Sequence, residues 1–193
     1  MAKIPNKIKT AAAGGLMALT VSMIAYFEGM ETKPYKDVVG VQTVCYGHTG
    51  ADIIPTKTYS ESECLALLER DLNKVRKGVD PLIKVDLDDN IRAAIYSFAY
   101  NVGTGAFARS TMLKKLNAGD IAGDIAGACN ELKRWTYAGG KEWKGLITRR
   151  EIENAVCLGK FAYAYPLSLS GSSFSWSLAY TYSEMTHAAI LIR

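Results

Sequence analysis

Three kinds of hydrophobic pattern follow one another along the chain. Residues 10–27 form an uncharged stretch rich in Ala, Gly, Leu, Met and Val, preceded by Lys3, Lys7 and Lys9 with no acid among them. Between residues 34 and 48 the pattern changes to β-formers, Val38, Val39, Val41, Thr43, Val44 and Tyr46, set around Gly40 and Gly47, which predicts a short hairpin or small sheet. After Ser60 the period becomes helical. Ser60 and Glu63 make a capping box, and Cys64, Leu67, Leu68, Leu72 and Val75 share one stripe, the start of a long linking helix. Further helices are expected over residues 88–99, closed by Asn101 and Gly103, and over 111–116, 125–135 and 148–158. The fold class is therefore α+β, mostly helical.

A basic end followed by an apolar run is the layout of an export signal. The positive-inside rule keeps the lysines cytoplasmic and places everything after Phe27 outside the inner membrane. The run is near the lower limit of about 17–25 residues for a spanning helix, and Gly14, Gly15, Thr20 and Ser22 dilute it. It ends in bulky Tyr26 and Phe27, where a cleavable signal has small residues, so the segment is expected to stay uncleaved. The competing reading makes residues 16–27 the buried first helix of a soluble domain. The two are compatible, because a marginally apolar segment can insert, leave the bilayer and pack.

The whole sequence, 193 residues with 49% hydrophobic and 22% charged side chains, has room for one ordinary domain and is too apolar for a disordered chain. A net charge of +4 favours anionic partners without choosing one. Arg92, Arg109, Arg134, Arg149 and Arg150 are scattered and no groove-reading motif accompanies them, so nucleic acid is not expected; wall binding or pairing on helix surfaces accounts for them better. Cys45, Cys64, Cys129 and Cys157 include no Cys-x-x-Cys pair, and no metal or cofactor is expected. In an oxidising compartment they can bridge in three ways. Neighbour order favours Cys45 with Cys64 and Cys129 with Cys157, and free buried thiols are the alternative. Residues 120–123 and 124–127 repeat Asp-Ile-Ala-Gly in tandem, a local insertion of about one helical turn. Residues 161–193, rich in Ser and Tyr and nearly free of charge, read as an appendage without clear period.

The chemistry concentrates just after the apolar run. Glu28 stands where a helix stops at Gly29, so the helix dipole and apolar neighbours would disfavour its ionised form, as a general acid requires. Asp37 enters the hairpin through a polar turn, better solvated and expected to be ionised. Thr43, on the adjoining strand, offers a hydroxyl to orient a water. Glu31 competes for the acid role but lacks the spacing. His48 is expected to be structural, bonding a carboxylate between lobes. Tyr46 and Asn101 are candidate substrate contacts, with a half-buried strand aromatic the plainer account of Tyr46.

Glu28, Asp37 and Thr43 in this spacing, followed by Gly47 and His48, resemble the phage-type lysozymes, glycoside hydrolase family 24. Tyr35-Lys36-Asp37, residues 97–103, Arg134-Trp135 and residues 145–151 are similar to the same family, so the likeness runs over about residues 28–158. It implies a small β-containing lobe and a larger helical lobe joined by a long helix, with a glycan strand of peptidoglycan in the cleft between them. It also implies hydrolysis of the β-1,4 bond from N-acetylmuramic acid to N-acetylglucosamine by a monomer, with Glu28 as acid and Asp37 and Thr43 placing water. The N-terminus is similar to the signal-anchor-release subgroup of phage endolysins, inactive while tethered to the host inner membrane and active once free in the periplasm. On this reading residues 1–27 are the anchor, 28–160 the catalytic domain and 161–193 an atypical tail. The rivals are a lytic transglycosylase, which needs one acid, and a catalytically dead wall-binding or membrane-lysis protein.

Overall fold

The computed structural model of the chain describes residues 3–37, 40–118 and 124–160. Val38, Val39, the first copy of the tandem Asp-Ile-Ala-Gly and the expected appendage, residues 161–193, lie outside the described residues.

Helix α1 (Asn6–Ala11) runs through a 3-10 turn (Ala12–Gly14) into α2 (Gly15–Glu28). The stretch Asn6–Glu28 has 23 residues and mean hydropathy 1.5, long and apolar enough to cross a membrane. Here it is broken in the middle. Gly15 takes φ +78°, a left-handed value that glycine adopts without steric cost, and the Leu16 amide donates to Asp89 Oδ2 at 3.1 Å. Below that break α2 buries Leu19, Thr20, Met23 and Ile24. Thr20 can be buried because its hydroxyl donates back to the Leu16 carbonyl at 2.7 Å. The surface covered by α2 belongs to α4 (Asp89–Val102), so residues 16–27 form a packed core helix in this state.

The small sheet has three antiparallel strands in sequence order, β1 (Glu31–Lys36), β2 (Gln42–Cys45) and β3 (His48–Thr49). Tyr35 opposes Thr43 and Lys36 opposes Gln42, with an irregularity between Glu31 and Tyr35. Cys45 leaves β2 at φ +61°, a conformation uncommon for a residue with a Cβ, and is bridged to Cys64 at the start of α3 (Glu61–Val79). The capping box of α3 is formed: the Glu63 amide donates to Ser60 Oγ at 3.3 Å and the Ser60 amide donates to Glu63 Oε2 at 2.9 Å. This helix touches β2 and β3 on one side and α4 and α5 (Thr104–Ala108) on the other, which makes it the link between the two lobes.

The helical lobe is built around α4. Ala93, Ala94, Ile95 and Phe98 are fully buried, so α4 is enclosed on every face; its alanines leave room for α2 on one side and α8 (Lys144–Cys157) on another. Between them lie α6 (Thr111–Leu116), α7 (Ile125–Glu131) and a small hairpin of β4 (Tyr137–Ala138) and β5 (Lys141–Glu142). Cys129 is bridged to Cys157, fixing α7 to the end of α8.

Three boundaries differ from expectation. The helix foreseen over 125–135 tightens to a 3-10 turn at Leu132–Arg134, and the Trp135 carbonyl turns away to accept from Arg150 Nε at 3.0 Å. The last helix begins at Lys144, before residue 148, because Gly145 weakens the helical signal there without breaking it. The β4–β5 hairpin was not foreseen. Its turn is Gly139-Gly140, both at positive φ, as a two-residue hairpin loop that follows strand twist requires.

Candidate active site

Glu28 is the last residue of α2, and Gly29, at φ +68°, ends the helix and sends the chain directly into β1. The carboxyl therefore sits where helix and sheet meet. Its side chain is 24% exposed, so a large substrate can reach it. Oε1 accepts a hydrogen bond from Arg149 Nη1 at 2.6 Å. Oε2 is beside Gly47 in the turn between β2 and β3, where a β-carbon would stand 3.8 Å away.

Arg149 was expected on a helix surface, and it is buried. Nε donates to Glu153 Oε1 at 3.0 Å and Nη2 to the Ser97 carbonyl at 3.1 Å, while the guanidinium lies 4.8 Å from the Phe27 ring centroid. Glu153 is wholly enclosed and also accepts from Ser97 Oγ at 2.7 Å and Arg150 Nη1 at 2.6 Å. Arg150, equally buried and also misassigned to the surface, donates further to Asn101 Oδ1 and covers the Phe98 ring. Burial pushes its basicity below the usual arginine range, and Glu153 pulls it back. Charges this deep persist because each lies beside an opposite charge and makes several hydrogen bonds. Glu28 thus leans on an ion-pair chain from α8, in place of the apolar surroundings that the preceding run implied. The signal for it was in the sequence, since Arg149 and Arg150 stand four and three residues before Glu153, the spacing of neighbours on a helix.

Asp37 closes the β1–β2 turn. Its amide donates to the Val41 carbonyl at 2.9 Å, and its Oδ1 accepts from the Val41 amide at 2.8 Å. Thr43, in the central strand and nearly buried, donates its hydroxyl to the Val41 carbonyl at 3.1 Å, which leaves oxygen lone pairs able to accept from a water. Glu28, Asp37 and Thr43 thus come from one continuous unit of helix end, strand, turn and strand.

His48 is buried on β3 and ties the sheet to α3. Its Nδ1 is 2.5 Å from Asp71 Oδ2, and Nε2 is 3.3 Å from Asp52 Oδ1 and 3.2 Å from Arg70 Nη2. The Arg70 guanidinium, with smaller help from a backbone amide and His48, holds the Asp52 carboxyl down at about 2. Tyr46 is 7% exposed, in line with the plainer account of it as an enclosed aromatic. Burial, and then Glu61, raise its phenol above the usual range, and its carbonyl accepts from the Tyr100 hydroxyl at 2.9 Å. Asn101 is exposed, with its amide oxygen taken by Arg150. Among the described residues, no group of three or more His, Cys, Asp or Glu is placed to hold a metal ion.

Comparison with known proteins gives one consistent result. The profile of a family described as phage lysozyme matches residues 25–153. A SAR-endolysin of Bacteriophage PS119 is 55% identical over 159 residues, covering 79% of this chain and 93% of that protein. A SAR-endolysin of Bacteriophage PS34 is 55% identical over 161 residues, covering 80% and 94%. Among solved structures, a point mutant of P22 lysozyme is similar with a TM-score of 0.65 at 28% identity, covering 82% of this chain and 99% of that one.

Proposed function

This chain belongs to the phage lysozyme family, and on that premise we propose that Glu28 protonates the leaving oxygen of a glycosidic bond while Asp37 and Thr43 deliver water to the anomeric carbon. The protein is a peptidoglycan-hydrolysing endolysin. The bond cut joins N-acetylmuramic acid to N-acetylglucosamine.

The observation that supports these roles is the placement of Glu28, whose carboxyl stands where α2 meets the small sheet that carries Asp37 and Thr43. Oε1 is engaged by Arg149, so Oε2, on the side of the small sheet, is the oxygen proposed to pass a proton to the substrate. As the C–O bond breaks, that proton passes to the departing hydroxyl. A water gives one hydrogen bond to Thr43 Oγ and loses its proton to Asp37 as its oxygen joins the anomeric carbon from the opposite face. Inversion follows. The test is turbidity loss of outer-membrane-permeabilised cells, with product analysis. Glu28→Gln and Asp37→Ala are each expected to lose at least about 100-fold in rate. Wild-type products should carry reducing ends; 1,6-anhydro ends would mean a transglycosylase, and unchanged lysis by Glu28→Gln would mean a non-enzymatic protein.

The same residue explains inactivity before release. While Asn6–Glu28 spans the host inner membrane, Glu28 is pinned at the lipid surface and cannot meet Arg149. Release into the periplasm lets the segment break at Gly15 and pack on α4, which brings the acid to its partner.

A further inference from the structure

A cavity of about 300 Å³ lies where the start of the chain meets α8, and Lys3, Lys9, Lys133 and Lys160 line it together with Glu151. It shares no residue with the candidate active site. We propose that this cavity binds a phosphate group, free or on the headgroup of an anionic phospholipid, and that it exists only in the released protein. The restriction to the released protein rests on the reading of a tethered and a free state; the binding itself does not.

The lysines are held in place by their neighbours. Lys3 adjoins Ile4 and Lys9 adjoins Ile8, and both isoleucines are buried, so the start of the chain is pinned to the lobe. Lys133 follows the buried Leu132 in the 3-10 turn. Gly159, at φ +62°, folds the chain back so that the Lys160 amide donates to the Ala155 carbonyl at 2.9 Å. Three separate stretches of chain thus bring four lysines to one space with one carboxylate among them. Like charges gathered in this way repel, and an anion between them offsets the repulsion. Among the described residues, the lysine ion pairs are those of Lys57, Lys74 and Lys115, so none of these four is neutralised by a carboxylate.

Phosphate suits such walls. Its oxygens point in several directions, and each ammonium is a compact charge with three rotatable donors on a flexible stem, so several can meet it at once. The volume is at the small end of the range of about 300–1,000 Å³ for ligand sites, and Ile4 and Ala155 add an apolar patch beside the charges. While the anchor spans the membrane, the positive-inside rule keeps Lys3 and Lys9 on the cytoplasmic side and Lys133 and Lys160 on the other, so the bilayer divides the site. Release assembles it. A ligand that binds only the assembled state stabilises that state by mass action.

The test is calorimetric titration of the full-length released protein with inorganic phosphate at constant ionic strength. The double variant Lys133→Gln/Lys160→Gln is expected to bind about tenfold more weakly than wild type. Lys77→Gln/Lys84→Gln, which removes the same charge outside the cavity, should change affinity less than about twofold; all four side chains are exposed, so folding is retained. Succinate should bind at least about tenfold more weakly than phosphate. Cosedimentation with vesicles of phosphatidylglycerol and phosphatidylcholine separates the sources. Sedimentation that requires Lys133 and Lys160 and is competed by phosphate supports the lipid headgroup, and phosphate binding without sedimentation supports the free ion. No binding of phosphate, equal loss in both double variants, or succinate bound as tightly overturns the site and leaves the tethering reading untouched. Equal specific activity in membrane and soluble fractions instead overturns the restriction to the released protein and leaves the phosphate site standing.

Discussion

Glu63 shows how one side chain can carry both a cap and a charge. It closes the capping box of α3 and also receives Lys57 Nζ at 2.5 Å, and that contact, with the Ser60 amide and hydroxyl, holds its carboxyl at about 2 in place of 4.5. A folded-state value below the unfolded one contributes stability above about 4.5 that disappears as pH falls toward about 2. Glu63→Gln, which can still cap, should therefore lower Tm at neutral pH and converge with wild type by pH 2; parallel curves across that window would refute it. At this scale the placement of Glu28, Asp37 and Thr43 on one helix end, turn and strand was legible because their spacing is local. For Arg149 only the helical spacing to Glu153 was. A buried guanidinium looks like a surface one until its partners are brought from residues 97 and 28, far away in the chain. For Tyr46, period-two alternation says which face a strand residue takes but not what covers that face.

Helices declared themselves by their ends more than by their interiors. Ser60 and Ser110 cap α3 and α6 with side-chain bonds, and Asp124 caps α7 in the same way, so starts were readable. The start of α2 follows another rule, because its cap comes from α4. Asp89→Ala is expected to cost about 1 kcal/mol in urea denaturation of the released protein and to reduce its active fraction; an unaltered midpoint would show that the break at Gly15 is set without Asp89. The β4–β5 hairpin escaped notice because two-residue strands leave no periodic pattern, although its Gly-Gly pair was a usable signal. The disulfide connectivity was only one of three from sequence, and the structure closes the two short loops, with separations of 19 and 28 residues. Each is worth about 3–4 kcal/mol on the chain-entropy account.

For the molecule as a whole, the fold class was legible because a lysozyme-like arrangement has unlike halves, a β-rich stretch near one end followed by helices. What the pattern could not decide was whether residues 10–27 belong to a membrane or to a core. The structure shows the core state, with Leu19, Met23 and Ile24 enclosed, and the same stretch retains the length for the other. If the tether silences the enzyme, lytic activity per molecule should be low in the membrane fraction and high in the soluble fraction of the same cells. Equal specific activity in the two would refute control by anchoring.

Because the proposed acid directly follows the apolar run, and the buried face of that run completes the helical lobe, the run cannot be removed without loss to the enzyme. Trimming the chain through Glu28 would not liberate a finished catalyst; it would strip a wall from the core and leave Arg149 with Glu153 alone. A protease that clipped the segment would likewise remove the surface that α2 packs against α4.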